Sequence, residues 1–169
     1  RAVNRIAKKM EEDYEVELKH CTTDKIPLCG NEFKKFKHVK KYISKLQEQL
    51  QKDGFAKYNA WYLVTTYGKQ TESILELYAK IKGDKPKERM IKAEAQFAIA
   101  HEMALNPLDF FIRRTGRLYF DIDSVRKYKA AVFDEFQKAY NYSKEEMEAF
   151  STELDAQLKE HSDFSLERG

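Results

Sequence analysis

Three arginines crowd into one short run: Arg113, Arg114 and Arg117, set around Thr115 and Gly116. Guanidinium groups at that density pair with carboxylates or phosphates through parallel N–H donors. Their flanks are apolar, with Phe110, Phe111 and Ile112 before them and Leu118, Tyr119 and Phe120 after. Arginines in such a setting are partly buried and must find acceptors. Glu102, Asp109 and Asp121 are the carboxylates near enough in sequence to supply them. Two readings follow: a structural or interdomain anchor made of ion pairs, and a site for an anionic ligand. Helix chemistry alone also favours arginines in a last turn, where they face the negative end of the dipole and Gly116 would cap it.

Other constellations fail on spacing. His101-Glu102-Met103-Ala104-Leu105 starts like a zinc-protease HExxH, but Leu105 stands where the second histidine is needed. His20, Cys21, Cys29 and His38 form no CxxC or HxxxH pair. Gly30, Gly54, Gly68, Gly83 and Gly116 are far apart, so neither a dinucleotide-binding GxGxxG nor a Walker A loop can be written. No catalytic, cofactor-binding or metal-binding residue is therefore assigned. Two cysteines are no disulfide framework and read as reduced thiols.

Charge is segregated although the net is only +3. Residues 31–60 hold eight lysines against three acids, including Lys34, Lys35, Lys37, Lys40, Lys41 and Lys45. Residues 143–163 hold two lysines against seven acids. A basic segment is most often the solvated face of a helix, but it also suits an anionic membrane surface or nucleic acid. The lysine-rich run carries no arginine, the commonest base-reading residue, which weighs against nucleic acid. No apolar run approaches the roughly 20 residues of a membrane span, the longest being Ala60 to Val64. No secretory signal opens the chain, and a start at Arg1 fits a segment of a longer polypeptide. A cytoplasmic location is expected, with peripheral contact at the inner face of the membrane as a further option.

The elements that must position these residues read as helical almost throughout, so the fold class is all-α, a bundle of seven or eight helices. A first helix is expected over residues 2–19, with Val3, Ile6, Met10 and Tyr14 on one stripe. Residues 21–30 break the pattern at Pro27 and Gly30 and mark a connector. Further helices are expected over 32–52, 55–67, 70–81 and 87–105, with Gly68 as a C-terminal cap. Asn106-Pro107-Leu108-Asp109 is a helix start, with Asn as N-cap and Pro at the first position. A short helix through Phe110 to Ile112 is expected to end near Gly116, and Leu118 to Asp121 to run extended. A helix opens at Asp123 or Ser124, and Ser143 with Glu146 forms a capping box for the last one.

At the arginine run the chain resembles the C-terminal domain of FAD-dependent glycerol-3-phosphate dehydrogenases, notably the bacterial type that includes α-glycerophosphate oxidase. Glu102-Met103-Ala104-Leu105, then Asp109 to Arg117, then Leu118 to Ile122 carry the resemblance. Ile26-Pro27-Leu28-Cys29-Gly30 is similar to a PLSGG-like connector, and Tyr62 to Gly68 to a helix end of the family. Cys29 departs from the small residue usual there, as does the lysine-rich second helix. The resemblance implies residues 1–20 as the helix leaving a flavin domain, 21–31 as a connector and 32–169 as a helical cap domain. It further implies a parent enzyme that passes hydride from sn-glycerol 3-phosphate to FAD, and then electrons to oxygen or a quinone. The N-terminal flavin and substrate domains of the same chain would be the partners. FAD would belong to that parent, with none bound by this fragment, which is expected to be non-catalytic. Packing through the apolar surface around Phe110 to Phe120 is expected, with Arg113, Arg114 and Arg117 pairing across the junction.

Overall fold

The computed structural model describes residues 2–19, 21–26, 28 and 32–162. Eight α-helices follow in order among them: α1 Ala2–Tyr14, α2 Phe36–Gln51, α3 Lys57–Tyr67, α4 Thr71–Lys80, α5 Pro86–His101, α6 Arg117–Phe120, α7 Ile122–Tyr140 and α8 Lys144–Glu160. A π-helical turn, Asp109–Arg114, precedes α6, and no strand occurs among the described residues.

α5 is the axis of the molecule. It packs against α4 on one side and α7 on the other. Met90, Ala93 and Phe97 join a first apolar cluster with Leu46, Leu50, Leu63 and Ile74. Ile91, Ala95 and Ala98 join a second with Phe110, Phe111, Val132, Phe136 and Leu154. A helix apolar on two faces belongs inside a bundle, and its buried alanines let neighbours approach closely. Each fully buried phenylalanine contributes on the order of 1.5–3 kcal/mol, so both clusters are substantial cores.

Local signals set most boundaries. The Asn106 side chain accepts from Asp109 N–H at 2.9 Å, as its cap role requires. Ser143 and Glu146 satisfy each other's backbone N–H groups at 3.2 and 2.8 Å. Gly68, with φ of 56°, ends α3.

Four expectations need correction. The helix expected from residue 32 begins at Phe36, because Lys35 holds extended backbone with φ of −146°. The first helix stops at Tyr14 rather than near residue 19, because Glu15 takes a φ of 52° and Leu18 N–H turns back to the Glu11 carboxylate. α5 ends at His101, since Met103 has a φ of 55°; Ala104 is buried from the loop beyond. Leu118 to Phe120 is helical, not extended: Gly116, at φ 61°, redirects the chain so that Tyr119 and Phe120 N–H both bond its carbonyl. The expected stripe on α1 is real, but Val3, Ile6, Met10 and Tyr14 are all exposed and α1 buries no residue.

Candidate functional site

The arginine run folds into two opposed arrangements. Gly116 turns α6 so that Arg117 points inward, where its side chain is 13 % exposed. Its guanidinium donates to Glu94 Oε2 at 2.7 Å, to Ser124 Oγ at 3.0 Å and to the Tyr62 hydroxyl at 3.3 Å. Asp121 lies at 3.5 Å, and the Tyr62 ring lies 5.1 Å beneath the charge. Glu94, 2 % exposed, accepts at its other oxygen from the Tyr67 hydroxyl at 3.0 Å. Burial and then the Glu94 charge push both Tyr62 and Tyr67 well above the usual phenol range. For Arg117, burial alone would lower the pKa, but Glu94 and the phenols reverse it, so the guanidinium stays charged.

This network forms the floor of a cleft of about 320 Å³ between α3, α5 and the start of α7. Tyr58, Tyr62 and Phe120 give it aromatic walls. Lys87, Arg117 and Lys127 line it together with Glu94, Asp121 and Asp123. Three cations and three carboxylates leave this lining without net formal charge. No imidazole lines the cleft, and Ser124 Oγ accepts from the Arg117 guanidinium while its backbone N–H donates to Asp121.

The second arrangement faces outward. Arg113, 70 % exposed, clasps the buried Asp109 carboxylate, whose other oxygen accepts from Leu105 N–H at 3.0 Å. Arg114 is exposed and has no ion pair among the described residues. The half-buried Glu102 leaves Oε2 without a hydrogen-bond partner. Burial raises its carboxyl above the ordinary range, opposed by the Arg114 charge. Of the carboxylates considered as arginine partners, Asp109 and Asp121 are used. Phe110, Phe111 and Leu118 lie in the domain's own core, so the apolar surface expected around residues 110–120 reduces to Tyr119 and Phe120.

Glu94, Tyr62 and Tyr67 escaped the sequence reading as site residues. Glu94 did carry a signal: a lone carboxylate between Ala93 and Ala95 on a helix otherwise apolar at that level. Nothing in the local sequence points from Arg117 to a partner 23 residues earlier.

The residues present do not fit a flavin. A dinucleotide needs a glycine-rich turn between strand and helix, and Gly54, Gly68, Gly83 and Gly116 each serve a separate turn. Among the described residues no group of three His, Cys, Asp or Glu side chains could hold a metal. His20 and Cys29 lie outside the described residues, and Cys21 is a free thiol bonded to the Thr23 hydroxyl at 2.7 Å.

A family model described as the C-terminal domain of alpha-glycerophosphate oxidase matches residues 21–147. An aerobic glycerol-3-phosphate dehydrogenase of Staphylococcus haemolyticus is 28 % identical over 160 residues, covering 94 % of this chain and 28 % of that protein. Its counterpart in Bacillus subtilis is 29 % identical over 146 residues, 85 % of this chain and 26 % of that protein. The crystal structure of a glycerol-3-phosphate dehydrogenase from Bacillus halodurans complexed with FAD superposes with a TM-score of 0.71 at 26 % identity. It is matched over 92 % of this chain and 32 % of that one. The chain thus spans little more than a quarter of the length of the curated relatives it matches.

Proposed function

Because this chain belongs to the family of the C-terminal domain of alpha-glycerophosphate oxidase, we propose that it is the non-catalytic helical domain of an FAD-dependent enzyme. That enzyme oxidises sn-glycerol 3-phosphate to dihydroxyacetone phosphate in the cytoplasm, with electrons passing on to oxygen or a quinone. The observation that carries the reading is the match along 92 % of this chain to one third of a dehydrogenase complexed with FAD. Flavin and substrate chemistry then reside in the preceding domains, and this domain contributes folded mass, an interdomain face and the anchor residues Arg113, Arg114, Glu102 and Asp109. Arg117 serves the domain's own interior. The test is a visible spectrum and glycerol-3-phosphate-dependent oxygen uptake or dye reduction, run on the full-length polypeptide and on residues 1–169 side by side. A yellow, active full-length protein beside a colourless, inactive fragment is the expected result. A full-length protein without flavin or without this activity overturns the reading.

A second reading concerns α2 and the two lysines just before it. Lys34, Lys35, Lys37, Lys40, Lys41 and Lys45 are all exposed, and none forms an ion pair among the described residues. Phe36 stands 71 % exposed in their midst, with Lys40 Nζ 5.0 Å from its ring centre. Lysines held near an anionic bilayer contribute on the order of 1 kcal/mol each, and an exposed aromatic can enter the headgroup layer. No described helix is long and apolar enough to cross a membrane, so any contact through these helices is peripheral. Co-sedimentation with anionic but not neutral vesicles is expected, and should be lost in Lys37→Glu/Lys41→Glu; unchanged binding in that variant discards the α2 face.

A further inference from the structure

The corner at the C-terminal end of α5 is built more rigidly than its exposure explains. Met103 holds φ at 55°, a conformation costing an L-residue on the order of 1–2 kcal/mol. Four hydrogen bonds fix the loop around it. Ala104 N–H bonds the Ala98 carbonyl at 3.1 Å, and Leu105 N–H bonds the Asp109 carboxylate at 3.0 Å. The Tyr140 hydroxyl donates to the Ala104 carbonyl at 2.9 Å, and the Tyr142 hydroxyl to the Leu105 carbonyl at 2.6 Å. This frame holds the Met103 side chain out in water, 79 % exposed, with Leu105 exposed beside it. An apolar side chain gains nothing from water, whereas a rigid apolar knob needs little further ordering when a partner covers it.

The polar groups at the same corner are incomplete. Glu102 Oε2 is buried without a donor, an arrangement that costs stability unless something supplies one. Arg114, whose charge acts on Glu102, has no carboxylate within ion-pair distance among the described residues. By contrast Arg113 and Asp109, one turn away, are matched. Rigid apolar knobs ringed by unmatched polar groups have the composition of an interface centre.

We propose that Glu102, Met103, Leu105 and Arg114 form the surface on which this domain seats against the catalytic part of its own polypeptide. That part offers an apolar socket to Met103 and Leu105, a hydrogen-bond donor to Glu102 and a carboxylate to Arg114. The inference rests on the functional reading above, in which such a part shares the chain. The occupant follows from chain length: 94 % of this chain aligns with only 28 % of a relative, so most of such a polypeptide lies outside it. A covalently linked partner is present at an effective concentration on the order of millimolar, which outcompetes a second copy at ordinary protein concentrations.

The experiment treats the native full-length polypeptide with dilute peroxide and follows sulfoxide at each methionine by peptide mass spectrometry. Met90, buried in the core, is the internal reference. Met103 is expected to oxidise about as slowly as Met90 at low and high protein concentration alike, because oxidation follows exposure. Leu105→Glu is expected to speed Met103 oxidation about tenfold and leave Met90 unchanged; Arg114→Glu gives the same readout should Leu105→Glu fold poorly. Oxidation of Met103 at the rate of free methionine overturns the proposal. So does protection that appears only at high concentration, which identifies a second copy instead. Flavin content and glycerol-3-phosphate-dependent dye reduction are read on the same sample. Their absence refutes the functional reading, whereas an unprotected Met103 in an active, yellow protein refutes this surface alone.

Discussion

Arg114 and Arg117 stand three residues apart in one run, and the fold gives them opposite surroundings. Arg117 is buried, and Glu94, Tyr62, Ser124 and Asp121 all meet its guanidinium from within the domain. Arg114 is exposed, without an ion-pair partner among the described residues, and its neighbour Glu102 has an oxygen with no donor. The charges at the seam between the two apolar clusters are thus paired within the domain, with Arg117 Nε alone of that guanidinium left without an acceptor, while Arg114 at the corner after α5 has no carboxylate partner among the described residues. Sequence density of arginine told of neither state. A glycine did the sorting: Gly116 in the left-handed region turns the backbone through the angle that separates Arg114 from Arg117.

The sharpest way to break this contrast is at the seam. Glu94→Ala leaves a buried guanidinium without its main partner and is expected to cost about 3–5 kcal/mol, read from urea unfolding. Adding Arg117→Met to it should recover much of that loss, because a matched apolar pair removes the uncompensated charge. A loss under about 1 kcal/mol for Glu94→Ala would mean the network is not the clamp described here.

pH acts on the two regions with the same sign but in different ranges, near the carboxylate range at the corner and near the phenol range at the seam. Tyr62 and Tyr67 have phenol pKa values raised above 10.0 by burial and then by Glu94. A raised folded pKa favours the protonated form, so this stability is whole below pH 10.0 and is lost as pH climbs through the raised values. Glu102 is raised above 4.5 by burial, so the corner's share is whole in acid and is lost as pH rises through the raised value. An alkaline titration followed by phenolate absorbance and helical circular dichroism should show the seam phenols ionising together with unfolding. Ionisation well ahead of unfolding would show the seam open to water.

Gly116→Ala tests the turn that sorts the arginines. Its φ of 61° suits glycine, and a β-carbon there would stand 3.2 Å from Phe120 Cδ2. Phe120 is exposed and can swing aside, so the expected cost of about 1–2 kcal/mol is chiefly that of the left-handed backbone. Met103→Gly is the mirror experiment at the corner. It relieves the same kind of strain, and melting should show a gain of under about 1 kcal/mol in residues 1–169 once the added freedom of glycine is offset. The smallest effect belongs to Arg114→Ala, expected within about 0.5 kcal/mol in the 169-residue chain because the side chain is exposed. A clearly larger loss in the full-length polypeptide would mark its partner as lying there.

Much of the fold was legible because helix signals are local. Asn106, Ser143 with Glu146, and Gly68 act through hydrogen bonds and dihedrals within three or four residues, and each sits where its type and spacing place it. The helices expected over 55–67 and 70–81 likewise form, as α3 and α4. The errors fall where a non-glycine residue takes a positive φ, at Glu15 and Met103, where Lys35 stays extended ahead of α2, or where a short helix follows a redirecting glycine, at Leu118 to Phe120. No residue type announces those conformations. The candidate site was half legible: the run Arg113 to Arg117, with Asp109 and Asp121, is visible in sequence, and its i,i+4 ion pairs follow from helical spacing.

What the sequence determined by itself is an all-helical chain, its caps and breaks, a segregated charge and a family resemblance carried by one arginine run. These depend on interactions between near neighbours or on residue identity alone. What only the tertiary structure decided is which arginine turns inward, that Glu94 from α5 and Tyr62 from α3 receive it, and which apolar residues remain outside. Those outcomes depend on how α5 is rotated between two cores, and that rotation is a compromise among all the helices that pack on it.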